Sequence, residues 1–257
     1  MYSSEEILLM TIHKGEQKIN LSLLQKALLG FIAGAMISLG FLFSVRVVGA
    51  TVETLGPVAN LIGAAVFPIG LIVILLAGGE LVTSNMMVVS AAFYAKKIAL
   101  KEVLLNWIQI TFFNILGAIF VAYVFGYLSG LTSSGTFSEA VIQGADLKLS
   151  ASPLQTFLQG IGCNWFVGIS VWLCYGAKSA AGKTLLVWFN IMTFVGIGFQ
   201  HSIANAFILP AAIFVKGASW LEFISNFSIV WLGNIVGATI FVSGIYFLVY
   251  KKEAVRK

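Results

Sequence analysis

The chain has 257 residues, of which 59% are hydrophobic and only 10% charged, and its formal net charge is +5. Soluble domains carry about 25% charged residues, so the composition excludes an ordinary water-soluble domain and indicates an integral membrane protein. The positive balance does not indicate nucleic-acid binding, because the basic residues flank hydrophobic segments, where they act as topology signals.

Residues 1–24 intersperse Glu5, Glu6, Lys14, Glu16 and Lys18 with Ile7, Leu8, Leu9, Ile12, Ile19, Leu21 and Leu23. No basic stretch precedes a clean apolar run, so this is not the pattern of a cleavable signal. It predicts an amphipathic helix lying at the membrane interface. About twenty apolar residues cross a bilayer as a helix, and six such spans follow: 25–52, 58–95, 102–130, 153–177, 184–215 and 221–250. A polar loop, 131–152, separates the third span from the fourth, and 251–257 form a tail. The fold class is therefore all-α integral membrane, with one domain over 1–257. Cys163 and Cys174 both fall in the fourth span without a CxxC or Cys/His cluster. They read as buried thiols, and no metal site or cofactor is expected.

The second and fifth spans are each interrupted. One contains Gly78-Gly79-Glu80-Leu81-Val82-Thr83-Ser84-Asn85. The other contains Gly196-Ile197-Gly198-Phe199-Gln200-His201-Ser202-Ile203-Ala204-Asn205. Glu80 precedes Asn85 by the same spacing as Gln200 precedes Asn205. Backbone freed by a break has no water in hydrocarbon, so it must be buried in protein or line a wet cavity. A packing kink is the alternative for either break alone, since glycines also permit close helix approach. Two matched breaks in two halves point to a transport site near the bilayer midplane. Three spans per half (25–130 and 153–250) make the halves inverted repeats. Twelve basic residues fall on one side: Lys14, Lys18, Lys26, Lys96, Lys97, Lys101, Lys178, Lys183, Lys251, Lys252, Arg256 and Lys257. Lys148 and Lys216 fall on the other, which places both termini in the cytoplasm and the 131–152 loop outside.

His201 is the one histidine in the hydrophobic region, and ionisable groups at that depth usually mark ion paths. It faces Thr83 across the repeat, where each could form hydrogen bonds to a solute; the structural alternative is a pair that braces broken backbone. Glu80, Asn85 and Asn205 read as supports that cap the exposed amides and carbonyls, and an unpaired Glu80 at that depth would take up a proton. Lys148 could draw anions toward a pore mouth or be a solvated loop lysine. Arg46, late in the first span, could snorkel or pair with a carboxylate. Phe67, Leu71, Leu81 and Phe194 flank the breaks and could form hydrophobic constrictions; singly, each is ordinary core. No nucleotide-binding, serine-hydrolase or zinc-protease motif is present, nor are Asn-Pro-Ala boxes, so the chain is not read as an enzyme or as an aquaporin proper.

At both breaks, and at Asn164-Trp165 in the fourth span, the chain resembles the formate/nitrite transporter family over nearly its whole length. The resemblance implies an aquaporin-like six-span protomer in a homopentamer, with a pore for small monovalent anions through each subunit. It implies that Lys148 draws the anion in. It further implies that His201 and Thr83 handle the anion between constrictions at Leu71, Leu81 and Phe194, with Phe67 nearby. Two positions depart from the common family pattern: Val82, often aromatic, which should reshape a slit, and Gln200, commonly Glu. These departures resemble the clostridial hydrosulfide channel branch, which passes HS⁻ and accepts formate-like anions. The expectation is a channel for hydrosulfide with formate and nitrite also passing, in a bacterial cytoplasmic membrane. The alternatives are a formate or nitrite channel proper, or a channel for a neutral solute such as water or ammonia. Its partners are these anions, the lipid bilayer and copies of itself, not nucleic acid.

Overall fold

The computed structural model describes residues 1–254, side chains beyond Lys251 excepted, so the expected tail at 251–257 lies largely outside the described residues. The described chain is helical: α1 (Ser4–Ile19), α2 (Leu23–Leu55), α3 (Val58–Val66), α4 (Ile69–Ala77), α5 (Val82–Tyr94), α6 (Leu100–Phe120), α7 (Gly135–Leu149), α8 (Pro153–Gly176), α9 (Ala180–Ile197), α10 (Ser202–Phe214), α11 (Trp220–Ala238) and α12 (Ile245–Ala254). Wider π-helical turns, Val121–Leu128 and Thr239–Gly244, follow α6 and α11. Six helical stretches are long and apolar enough to cross a membrane: Leu23–Leu55, Val58–Ala77, Leu100–Leu128, Pro153–Gly176, Ala180–Ile197 and Trp220–Lys251.

Local signals explain the starts. Ser22 and Gln25 cap each other's backbone amides ahead of α2, and Ser152 and Gln155 do the same ahead of α8, where Pro153 occupies the first turn. Such a box satisfies two of the amides that a helix start leaves open. Pro68 has no amide hydrogen to give the preceding turn, and the helix is interrupted between Val66 and Ile69. The long second span expected from sequence is thus three helices, with the polar break between α4 and α5.

The short helices α5 and α10 are the centre of the molecule: every residue of Val82–Ala92 and of Ser202–Ala212 is buried. The long helices wrap them and turn leucine and isoleucine outward, among them Leu24, Ile108 and Leu221. Close crossings hold the wrap together. A Cβ on Gly117 would lie 2.1 Å from the Phe31 carbonyl, and one on Gly237 would lie 2.3 Å from the Ile161 carbonyl. Only glycine fits there, and the two crossings, α2 on α6 and α8 on α11, are repeat equivalents.

The segment 131–152 is not simply a loop. Residues Gly135–Leu149 form α7, which buries Ala140, Val141 and Ala145. These join an apolar cluster with residues of α2 and α10. Among the described residues Arg46 pairs with no carboxylate: its guanidinium stacks 3.3 Å from the centre of the Phe137 ring and donates to the Leu131 carbonyl.

Candidate functional site

Each break begins at a glycine in a conformation that L side chains rarely adopt, Gly78 (φ 100°) and Gly198 (φ 92°). Extended backbone follows, at Leu81 and His201, before α5 and α10 start. One asparagine per half satisfies the exposed backbone. The Val82 amide donates to Asn114 Oδ1 (2.9 Å), and Asn114 Nδ2 donates to the carbonyls of Glu80 (2.8 Å) and Gly30 (2.7 Å). In the other half the Ser202 amide donates to Asn234 Oδ1 (3.0 Å), and Asn234 Nδ2 donates to the carbonyls of Gln200 (3.2 Å) and Gly160 (2.8 Å).

These two residues were not singled out from sequence. The signal that could have found them is their spacing: Asn114 and Asn234 are displaced by 120 residues, as are Asn85 and Asn205. The residues expected to cap the breaks have other partners. Asn85 Nδ2 donates to Glu80 Oε2 (2.8 Å) and Asn106 Oδ1 (3.0 Å), while Asn205 Nδ2 donates to Gln200 Oε1 (2.8 Å) and Asn226 Oδ1 (2.8 Å). They tie each break to the neighbouring span rather than to its own backbone, because their side chains point along the short helix toward α6 and α11.

His201 and Thr83 meet where the breaks face each other, with His201 Nε2 and Thr83 Oγ1 2.9 Å apart and both residues buried. His201 is also the N-cap of α10: its Nδ1 accepts the Ala204 amide hydrogen at 3.0 Å. A nitrogen that accepts cannot itself carry a proton. The neutral ring therefore holds its hydrogen on Nε2 and donates to Thr83 Oγ1, which leaves the Thr83 hydroxyl hydrogen free for another acceptor. A second proton on the ring would have to displace the cap. Asn164 steadies the pair from α8, donating to the Thr83 carbonyl (3.2 Å) and to the Asn234 carbonyl (2.8 Å).

Two cavities touch His201, and a third lies beyond them. A chamber of about 10 Å³ is walled by Ile37, Phe67, Leu71, Leu81, Phe194 and His201. One water needs about 10–15 Å³ of such volume, so the pathway is shut to anything larger in this conformation. Phe67 and Phe194 close one end edge to face, their rings 6.1 Å apart, and also wall a second cavity of about 30 Å³ that reaches Lys148 and Phe199. At the opposite end, the next turn of α4 (Ile74 and Leu75) opens into a vestibule of about 290 Å³ lined by Lys14, Lys18, Glu80 and Tyr175. The sequence-derived residues Phe67, Leu71, Leu81 and Phe194 thus gather around His201. Thr83 reaches the chamber through the histidine, and Val82 walls none of the three cavities, its side chain being fully buried in core.

Lys148, at the end of α7, aims its ammonium at the carbonyls of Gly198 (3.2 Å) and Phe199 (3.4 Å). These are the open carbonyls past the C-terminus of α9, a favourable place for a cation. Burial lowers the Lys148 ammonium from its ordinary value to about 8. Its backbone carbonyl accepts from Gln200 Nε2 (3.2 Å) and Asn226 Nδ2 (3.1 Å), and Gln200 Nε2 also donates to Gln159 Oε1 (2.9 Å). Glu80 is paired with Lys18 of α1, with Nζ 2.6 Å from Oε1.

Residues 5–248 match the family model described as formate/nitrite transporter. The chain belongs to this family. Among the similar members of the formate/nitrite transporter family is the transporter YrhG of Bacillus subtilis (strain 168), 48% identical, with 98% of this chain and 96% of that one aligned. Another is the formate channel BtFdhC of Bacillus thuringiensis, 46% identical over 98% of this chain and 97% of that one. Among solved structures, a pentameric formate channel with formate bound superposes with a TM-score of 0.77 at 30% identity, covering 89% of this chain and 98% of the other. An ion channel of the family superposes with a TM-score of 0.86 at 24% identity, covering 95% and 98%. The chain is thus a multi-pass membrane protein of a family of channels and transporters, not of enzymes.

Proposed function

We propose that the chain is a channel for small monovalent anions, with formate first among them, that works as a homopentamer with both termini in the cytoplasm and Lys148 facing outward. The observation that carries this reading is His201, hydrogen-bonded to Thr83, at the wall of a tiny apolar chamber, with a lysine beyond each end. The relatives named as formate channels, aligned over the full length, and the pentameric solved relative support the choice of substrate and assembly.

Bare charge is expensive in the slit. Lys148 raises the local anion concentration, and the Nε2 hydrogen of His201 is exchanged from Thr83 Oγ1 to the anion, while the Thr83 hydroxyl supplies a second hydrogen bond. The ring stays neutral throughout, because its Nδ1 holds the α10 cap. Any proton that accompanies the anion therefore arrives with it rather than from the ring. Hydrosulfide is the second reading, favoured by the smallness of the chamber, and nitrite is the third.

Proteoliposomes carrying the purified chain and challenged with formate, hydrosulfide or nitrite test the ranking. Formate flux above that of empty vesicles supports the proposal, and faster hydrosulfide flux moves the protein to the second reading. Water or ammonia flux without any anion flux overturns it in favour of a neutral-solute channel.

A further inference from the structure

The internal repeat extends beyond the spans. The Ser22–Gln25 box recurs at Ser152–Gln155, and the Gly30 carbonyl that serves Asn114 recurs as the Gly160 carbonyl that serves Asn234, a displacement of 130 residues in this part of the chain. The same displacement makes α1 the counterpart of α7 and sets Lys18 opposite Lys148. The later displacement of 120 residues sets Glu80 opposite Gln200. Each end of the pathway therefore has a deep lysine with one residue of the break beside it, and that residue is acidic at one end and neutral at the other; the Lys18 end also holds the buried Lys26, which donates to the Ile19 carbonyl (3.0 Å) and whose counterpart is Thr156.

At one end the group is a carboxylate. Lys18 Nζ lies 2.6 Å from Glu80 Oε1, both side chains are largely buried, and this is the ion pair found among the described residues. At the other end the group is a carboxamide, which cannot neutralise a cation. Gln200 uses its amide hydrogens on the Lys148 carbonyl and on Gln159. The Lys148 ammonium is left with two neutral carbonyls at 3.2 and 3.4 Å, and among the described residues it forms no ion pair. The nearest charges on neighbouring elements do not replace one. Glu222 lies exposed in the outer cavity beyond Lys148 and is engaged with Ser219, and Asp146 is exposed on α7 itself. Lys14 lines the Lys18 vestibule but is exposed, where salt screens it.

We propose that the Gln200/Glu80 difference makes the channel sided, the permeating anion being held more tightly at the Lys148 end than at the Lys18 end. This rests on the anion-channel reading above. An anion arriving at Lys18 must displace a carboxylate already bound there. At Lys148 it gives up two carbonyl contacts and gains the full charge. A passive pathway has the same ratio of maximal rate to half-saturation from both faces, since neither direction is driven. The sidedness therefore shows as a lower half-saturation concentration, together with a proportionally lower maximal rate, for flux that starts at the Lys148 face.

Formate uptake into right-side-out and inverted membrane vesicles from the same cells measures both faces. The expected half-saturation is lower at the Lys148 face by about fivefold, equivalent to ~1 kcal/mol of binding. Gln200→Glu raises it toward the value of the other face, and Glu80→Gln, which keeps the shape of the side chain, lowers the value at the Lys18 face. Equal half-saturation from both faces of the wild-type protein overturns the proposal while leaving the anion channel standing. If Gln200→Glu does not assemble, an unchanged half-saturation in Glu80→Gln overturns it alone. No saturable formate flux from either face overturns the anion-channel reading together with it.

Discussion

Replacing Asn114 with leucine removes three hydrogen bonds while keeping the number and branching of the side-chain heavy atoms. The Val82 amide and the Glu80 carbonyl lose their partner in a fully buried position. The Gly30 carbonyl keeps its own helix, so two backbone groups are orphaned rather than three. Side-chain hydrogen bonds between membrane helices average only about 0.6 kcal/mol, because the unfolded chain in the membrane finds other partners. Orphaned backbone at a fixed break has no such alternative and costs about 1–3 kcal/mol per group. The second term dominates, and the expected loss is about 2–6 kcal/mol. The repeat demands a loss of the same size for Asn234→Leu, which orphans the Ser202 amide and the Gln200 carbonyl. Equilibrium unfolding in mixed micelles measures both. A loss below about 1 kcal/mol in either variant refutes the claim that these asparagines hold the breaks, since it would match ordinary interhelical bonds.

Other expectations follow from the same geometry. Gly237→Ala puts a methyl 2.3 Å from the Ile161 carbonyl, so α8 and α11 must separate; a stability loss of about 1–3 kcal/mol or more is expected in the same unfolding assay. Lys148 carries its proton below about pH 8 and loses it above. Anion affinity at its face therefore falls as pH rises through that value, and Lys148→Met removes this step from the pH profile of half-saturation. The titratable neighbours to control for are Cys163 of α8 and Glu222 of α11. Phe194→Ala unstacks the Phe67–Phe194 slit and should raise water permeability measured by vesicle shrinkage, because the apolar gate no longer excludes water.

Much of the architecture was legible in the chain. Spans declare themselves by composition, and Gly78-Gly79-Glu80 and Gly198-Phe199-Gln200 mark the breaks because glycine followed by a polar residue recurs at matched places in two apolar segments. His201 and Thr83 stood out for a similar reason. What escaped were residues whose role exists only after packing. Asn114 and Asn234 each share a largely apolar helix with other polar residues, Asn106 and Asn226 among them, and nothing local says that each reaches a break on another span. Lys18 looked like a topology signal, yet it crosses 62 positions to meet Glu80. The helix α7 was read as loop because Gly135, Gly144 and scattered charges obscure its apolar face, which forms only against α2 and α10. Val82 was expected to shape a slit; the closed chamber is lined by its neighbour Leu81 and not by Val82.

The central claim is that a neutral His201 donates its Nε2 hydrogen to the passing anion while Nδ1 caps α10. It is tested most directly by formate flux, with internal pH recorded, through wild-type, His201→Asn and His201→Leu proteins in liposomes. Asparagine can keep the cap with Oδ1 and donate from Nδ2, and it is a favoured N-cap; it should retain most of the flux and the same pH dependence. Leucine can do neither. It removes a hydrogen bond to a charged group, about 1.5–3 kcal/mol, and should slow flux about ten- to hundredfold. Wild-type flux through His201→Leu, or loss of pH dependence in His201→Asn, would contradict the account.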